Sequence, residues 1–175
     1  MYKPRSIYVK VALETITAKL GLGGESEMEE DKYKEMQELM EKKPCFVTLY
    51  KEGALRGCIG TMIPYRENLL EEIRGNAISA AFNDPRFEPL KKDELERIEI
   101  SVDVLSPMED VEDIKELDPK KYGILISDGR SQGVLLPDLE GVDSVEQQIE
   151  IALNKAGITR NPGLVIKKFT VKRYR

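Results

Sequence analysis

Histidine is absent from this chain of 175 residues, and cysteine occurs only twice, at Cys45 and Cys58. The first absence excludes Ser-His-Asp and Cys-His catalysis and removes imidazole from any metal site. With two thiols, a tetrahedral structural zinc site would need carboxylates to complete it, which is rare, so no metal is expected. Two cysteines cannot build a disulfide framework, and they fit a reducing compartment. There is no phosphate loop of the GxxxxGK type, no GxGxxG and no calcium-loop spacing, and no cofactor is expected. No apolar run approaches the length of a membrane helix. The opening "MYKPRSIYVKVALETI" has neither an uncharged signal core nor a small-residue cleavage site. These absences point to a soluble, cytoplasmic protein with no membrane partner.

What is present suits one domain, residues 1–175. Hydrophobic residues make up 41%, enough for a core at this length. The net charge of −5 gives nucleic-acid binding no support. Charge is uneven: Glu25 to Lys43 holds eight acidic and four basic residues, and Lys167 to Arg175 holds five basic and none acidic. The acid-rich stretch reads as a solvated face, and segment 22–43 is the candidate for a smaller lobe.

Apolar spacing predicts a helix from Ser6 to Leu20, stopped by Gly21, and a second, highly charged one from Asp31 to Lys42, ended by Pro44. "CFVTLYKEGALRGCIGTMIP" is two β-rich runs around Glu52-Gly53, a hairpin signal. Asn68 to Phe82 is helical, "NDPRFEPL" breaks it, Asp93 to Arg97 is a short helical turn, and "IEISVDVL" alternates as a strand. The order then recurs. "YGILISDGRSQGVLLP" is a hairpin around Asp128-Gly129. Ser144 opens a helix with Gln147 completing a capping box, Gly157 closes it, and "LVIKKFTVKRY" is one closing strand. Hairpin, helix and strand thus occur over 45–105 and again over 122–174. Gly53-x-x-x-Gly57-Cys-Ile aligns with Gly129-x-x-x-Gly133-Val-Leu, a spelling that suggests internal duplication. The fold class is α+β: antiparallel β-sheet flanked by helices, in two unequal lobes.

The stretch "LRGCIG", Leu55 to Gly60, sets Arg, Cys and two glycines inside an apolar strand. With Glu52-Gly53 as a two-residue loop, Lys51 faces Ala54, Leu49 faces Arg56 and Val47 faces Cys58. Cys45 then lies diagonally on the same face. Glycine within a strand marks a bulge or a close approach of another group. The plain packing reading makes Gly57 and Gly60 room for a helix and Cys58 a small buried hydrophobe. The functional reading sets Cys58 at a bulge beside Arg56, whose charge would lower the thiol pKa, with N–H groups open to an anion. "NDPRF", Asn83 to Phe87, is a second polar constellation, in which Pro85 stiffens the turn and Arg86 is a fork donor. By itself it reads as a helix stop with a loop salt bridge. The basic C-terminal strand reads as a charge-guarded edge.

Together these pieces resemble the AMMECR domain family, named after the human chromosomal region of Alport syndrome, midface hypoplasia and elliptocytosis. The resemblance rests on "PCFVTLYKEGALRGCIGTMIP", on "NAISAAFNDPRFEPLKKDELERIEISVDVLSP", and on "GRSQGVLLPDL" followed by "ALNKAGI". It covers nearly the whole chain, segment 22–43 least. It implies an α+β fold of two unequal lobes and an activity that is not established. It also implies a pathway shared with Memo-like and radical-SAM proteins. The family's motif points to Leu55, Arg56, Gly57, Cys58, Ile59 and Gly60, with Asn83, Asp84, Arg86 and Phe87 as a second binding group.

The first reading is an enzyme or enzyme subunit acting on a small or modified-protein substrate. Cys58 is its reactive group, and Arg56 and Arg86 are holders of an anion. Without histidine, the base must be a carboxylate or the substrate itself. The alternative is a non-catalytic interaction module presenting the LRGCIG and NDPRF surfaces. RNA binding through the basic C-terminus is the third. Partner identity and oligomeric state are not legible in the chain.

Overall fold

The computed structural model describes residues 4, 6–22, 32, 33, 36–159 and 163–175. Residues 23–31, 34 and 35, half of the segment expected as a smaller lobe, lie outside the described residues. The chain divides into two compact units, residues 1–104 with 172–175, and residues 105–171.

In the first unit, helix α1 (Ile7–Lys19) begins where the Ser6 hydroxyl accepts the Val9 N–H. Gly21, at φ +68°, follows its end. A short helix α2 (Gln37–Met40) precedes strands β1 (Cys45–Lys51) and β2 (Ala54–Gly60). Helix α3 (Leu69–Phe82) is capped by the Asn68 side chain on the Glu71 N–H. A 3₁₀ helix (Lys92–Arg97) leads into β3 (Ile98–Leu105). With β8 (Val171–Tyr174) these strands form a sheet of order β2-β1-β3-β8. Cys45, Val47 and Leu49 alternate onto one face of β1 and are fully buried. They pack with Val9 and Ile16 of α1 and Leu69, Ile73 and Ala77 of α3, whose spacing of three and four residues makes one apolar stripe. The opposite face carries Phe46, Thr48 and Tyr50, paired with Asp103, Ser101 and Glu99 of β3. Thr48, Ser101 and Asp103 are buried there although polar.

The second unit is built around β4 (Glu109–Asp110), β5 (Gly123–Ser127), β6 (Gln132–Leu135), α4 (Val145–Ala156) and β7 (Val165–Phe169). Its antiparallel sheet runs β4-β7-β5-β6. The capping box of Ser144 and Gln147 forms as the sequence predicts, and Gly157 ends α4 at φ +66°. Ile124, Ile126, Ile149 and Ala152 lie at its core.

The closing strand expected as one run is two. Ser106 and Thr170 exchange hydrogen bonds at 3.0 Å, and the chain leaves one sheet at Phe169 and enters the other at Val171. A period of two cannot register which sheet each half joins.

Candidate functional site

Strand β2 lies at the edge of the first sheet. The turn that starts it has φ +53° at Glu52 and +80° at Gly53, the pair of left-handed residues a type I′ hairpin turn requires. Lys51 pairs with Ala54 as expected, and Tyr50 with Leu55. Arg56 is then skipped, and Gly57 pairs with Leu49. This bulge shifts every later residue by one and therefore to the other face. Cys58 stands opposite Thr48, not Val47 as a regular hairpin would have it. The two cysteines thus sit on opposite faces: Cys45 in the apolar core, Cys58 on the polar side.

Gly57 is required by packing. A Cβ there would fall 2.2 Å from the carbonyl oxygen of Ala80 in α3. At Gly60 a Cβ would meet the Phe46 ring. Ile59 packs against the core, and Leu55 is exposed on the hairpin.

The bulge also turns the Cys58 N–H and C=O outward from the edge, where they need partners. The "NDPRF" loop supplies them. Asp84 Oδ2 accepts the Cys58 N–H at 2.9 Å, and Arg86 Nη2 donates to the Cys58 carbonyl at 3.1 Å. The two side chains are themselves joined, Arg86 Nε to Asp84 Oδ1 at 2.9 Å and Nη2 to Oδ2 at 2.7 Å. Asp84 is almost wholly buried and Arg86 is 54% exposed. Asn83 ends α3 and faces solvent. The N–H that sequence reasoning leaves open to an anion is therefore filled by the protein's own Asp84 carboxylate.

Arg56 turns away from the thiol. Its Nε and Nη2 clasp Glu94 at 3.1 and 3.0 Å, and Nη2 also reaches the Glu88 carbonyl at 2.9 Å. Lys51 adds a third donor to Glu94 at 2.9 Å. The Phe87 ring is within cation–π reach of both guanidiniums, 5.9 Å from Arg56 Cζ and 5.5 Å from Arg86 Cζ. The structure thus gathers Cys58, Asp84, Arg86, Phe87 and Arg56, with Arg86 rather than Arg56 beside the thiol.

The electrostatics follow. Burial pushes the Cys58 thiol up from its ordinary value. The Thr48 hydroxyl, 3.2 Å from Sγ, and the Arg86 charge pull it down in part, and Asp103 and Asp84 push it up. The depressed thiol expected from Arg56 is not present. Burial raises Cys45 further, to about 12. The Arg86 fork holds Asp84 well below the carboxylate range, and Arg56 chiefly holds Glu94 at about 2.

Thr48, Glu94 and the Asp103–Arg173 pair, joined at 2.8 and 3.0 Å, are neighbours that sequence reasoning missed. Lys91-x-x-Glu94 is a box-like spacing that could have flagged Glu94, whose carboxylate caps the Lys91 N–H at 3.0 Å. On the same face, a cavity of about 220 Å³ is lined by Tyr50, Glu99, Ser101 and Arg175 among others. Among the described residues, no three of Cys, Asp and Glu stand together as a metal-ligand set.

The second unit repeats three of these contacts. A Cβ at Gly133 would lie 2.0 Å from the Ala152 carbonyl oxygen, as Gly57 does with Ala80. Four residues before those alanines, Asn76 and Gln148 donate their amides to the carbonyls of Cys45 and Tyr122, at 2.9 and 2.7 Å. Lys155 donates to the Val134 carbonyl at 3.0 Å, as Arg86 does to that of Cys58. The second hairpin has no bulge between Ile124 and Ser127, and Val134 follows its glycine.

A family model, AMMECR1, matches residues 9–175. The chain belongs to the AMMECR1 family. It is 49% identical over 170 residues to a Thermotoga maritima protein, covering 96% of this chain and 97% of that one. It is 50% identical over 169 residues to a Clostridium acetobutylicum protein, covering 96% of this chain but 36% of the other. Here an AMMECR1-type sequence is about a third of a longer polypeptide. The crystal structure of an uncharacterised Pyrococcus horikoshii protein superposes with a TM-score of 0.85 at 30% identity, covering 98% of this chain and 91% of that one. The α+β class follows from that superposition and from the two sheets with their helices. No helix of the described residues is long and apolar enough to cross a membrane.

Proposed function

We propose that this AMMECR1-family chain is an enzyme, or the subunit of one, whose site is the polar face of the first sheet around Cys58. Its substrate is a small molecule or a modified protein side chain. Cys58 is the reacting group, Arg86 the charge beside it, and Arg56 a positioning residue locked to Glu94. The reading places the protein in the cytoplasm, in a pathway shared with Memo-like and radical-SAM proteins.

One observation carries it. The second hairpin meets its own helix, α4, with Gly133-Val134, so a close strand–helix approach of this kind needs the glycine and not a thiol. Cys58 is surplus to packing. It sits in a row of polar groups with Thr48 and Ser101, where a hydrophobe of the same size would be expected if only filling were needed. The two units run in the same hairpin–helix–strand order, and the second has Val134 where the first has the thiol. The resting thiol is neutral, so it serves as a proton donor, or attacks after a carboxylate or the substrate takes its proton.

The experiment is replacement in cells that depend on the gene. Cys58→Ser and Cys58→Val proteins should accumulate folded and fail to support function. Full function with either would end the thiol chemistry. The alternative, a non-catalytic interaction module, keeps the exposed Leu55 and Arg86 as its surface. It predicts that Arg86→Ala loses a binding partner while Cys58→Val retains it.

A further inference from the structure

The two arginines of this site are not equivalent. Arg56 is 13% exposed, and its Nε and Nη2 are held by Glu94 and the Glu88 carbonyl. Its bulge position points it along the sheet edge toward the 3₁₀ helix that carries Glu94. It cannot reorient toward a ligand without leaving Glu94 only the Lys51 charge and the Lys91 N–H.

Arg86 is built differently. A guanidinium carries five N–H bonds. Three of them are used, Nε on Asp84, and Nη2 on Asp84 and on the Cys58 carbonyl. Among the described residues, Nη1, with two N–H bonds, has no hydrogen-bond partner, and the side chain is half in solvent. The group is nonetheless fixed. Asp84 is buried beneath it, the Cys58 carbonyl holds its flank, and the Phe87 ring lies 5.5 Å from its centre. A rigid guanidinium with a free Nη1 is a charged donor suited to a carboxylate or phosphate oxygen, because the ordering cost has already been met by the fold. The free Nη1 belongs to the side chain that grips the Cys58 backbone.

We propose that Arg86 Nη1 receives an anionic group of the ligand, a carboxylate or a phosphate, and so brings the reacting part of that ligand to Cys58. The inference rests on the reading of Cys58 as the reacting group. It names the class of substrate and narrows the anion-holding role from Arg56 and Arg86 to Arg86.

Two alkylating reagents test it, iodoacetate and iodoacetamide, which differ in one charge. Each converts the thiolate to a thioether with loss of iodide. In the folded protein, Cys58 should favour iodoacetate over iodoacetamide relative to the same cysteine in denaturant, by about two- to fivefold for one partly exposed charge pair. Arg86→Gln should remove that preference, and Arg86→Lys should keep part of it. In the unaltered protein, inorganic phosphate should slow iodoacetate labelling more than iodoacetamide labelling, a measurement independent of whether any variant folds. If folded Cys58 reacts with both reagents at the denatured ratio and phosphate slows neither, the anion site is refuted while the reactive thiol stands. If Cys58 reacts with neither reagent until the protein unfolds, both readings fall.

Discussion

Thr48 and Cys58 face each other across the first hairpin, with Thr48 Oγ1 donating to Cys58 Sγ at 3.2 Å. A one-residue bulge at Arg56 creates that pairing and separates the two cysteines onto opposite faces of the sheet. The separation makes the cysteines chemically distinct.

Their alkylation by iodoacetamide should show it. Cys45 is fully buried and raised to about 12, so it should stay unlabelled until the protein unfolds. Cys58 is partly exposed and raised above 9.0, so its rate should climb with pH through 9 without a plateau below it. Mass-spectrometric rates for the two peptides check this. A plateau near neutral pH would mean that Arg86 outweighs burial.

Asp84→Asn and Arg86→Gln should move that labelling in opposite directions. Asp84 raises the Cys58 pKa and Arg86 lowers it. Asp84→Asn should therefore speed labelling at pH 8 and Arg86→Gln slow it. Asp84→Asn should also cost about 2 kcal/mol of stability, since it strips a buried acceptor from the Cys58 N–H and the Arg86 fork. A change of stability without the opposed rates would make the loop a structural brace alone.

Gly57→Ala and Gly133→Ala should each destabilise by about 2 to 3 kcal/mol, because the added methyl meets a helix carbonyl and not a movable side chain. Gly53→Ala meets open space and should cost only about 1 kcal/mol, for the left-handed backbone at φ +80°. Urea titrations distinguish the three.

Glu94 makes the first unit sensitive to acid. Its carboxyl is held at about 2 against an ordinary 4.5, so its contribution is complete above 4.5 and fades as pH falls toward 2. Discounted for solvent at the outer side of the cluster, that contribution is about 2 kcal/mol. Glu94→Gln should be less stable than the parent at pH 7 by this amount, and the difference should shrink at pH 3. Equal differences at both values would remove the charge from the explanation.

Most elements were legible because their signals are local. Asn68 and Ser144 cap helices where short polar residues precede an apolar stripe, and Glu52-Gly53 turns where the backbone must be left-handed. The hairpin register was legible only as far as Leu55. Beyond it the bulge decides, and nothing local says that Arg56 will leave the ladder to reach Glu94, 38 residues away. For the same reason the charge beside Cys58 was assigned to its chain neighbour Arg56, when it comes from Arg86, 28 residues on.

The sequence by itself determined the α+β class, the family, the recurrence of hairpin and helix, and the exclusion of histidine chemistry, since composition and short-range period carry these. Only the tertiary structure decided which face Cys58 occupies, which guanidinium touches its backbone, and where the closing strand divides. Those depend on which distant polar group satisfies an edge strand's outward N–H and C=O, a requirement that every edge strand has and that no sequence spacing specifies.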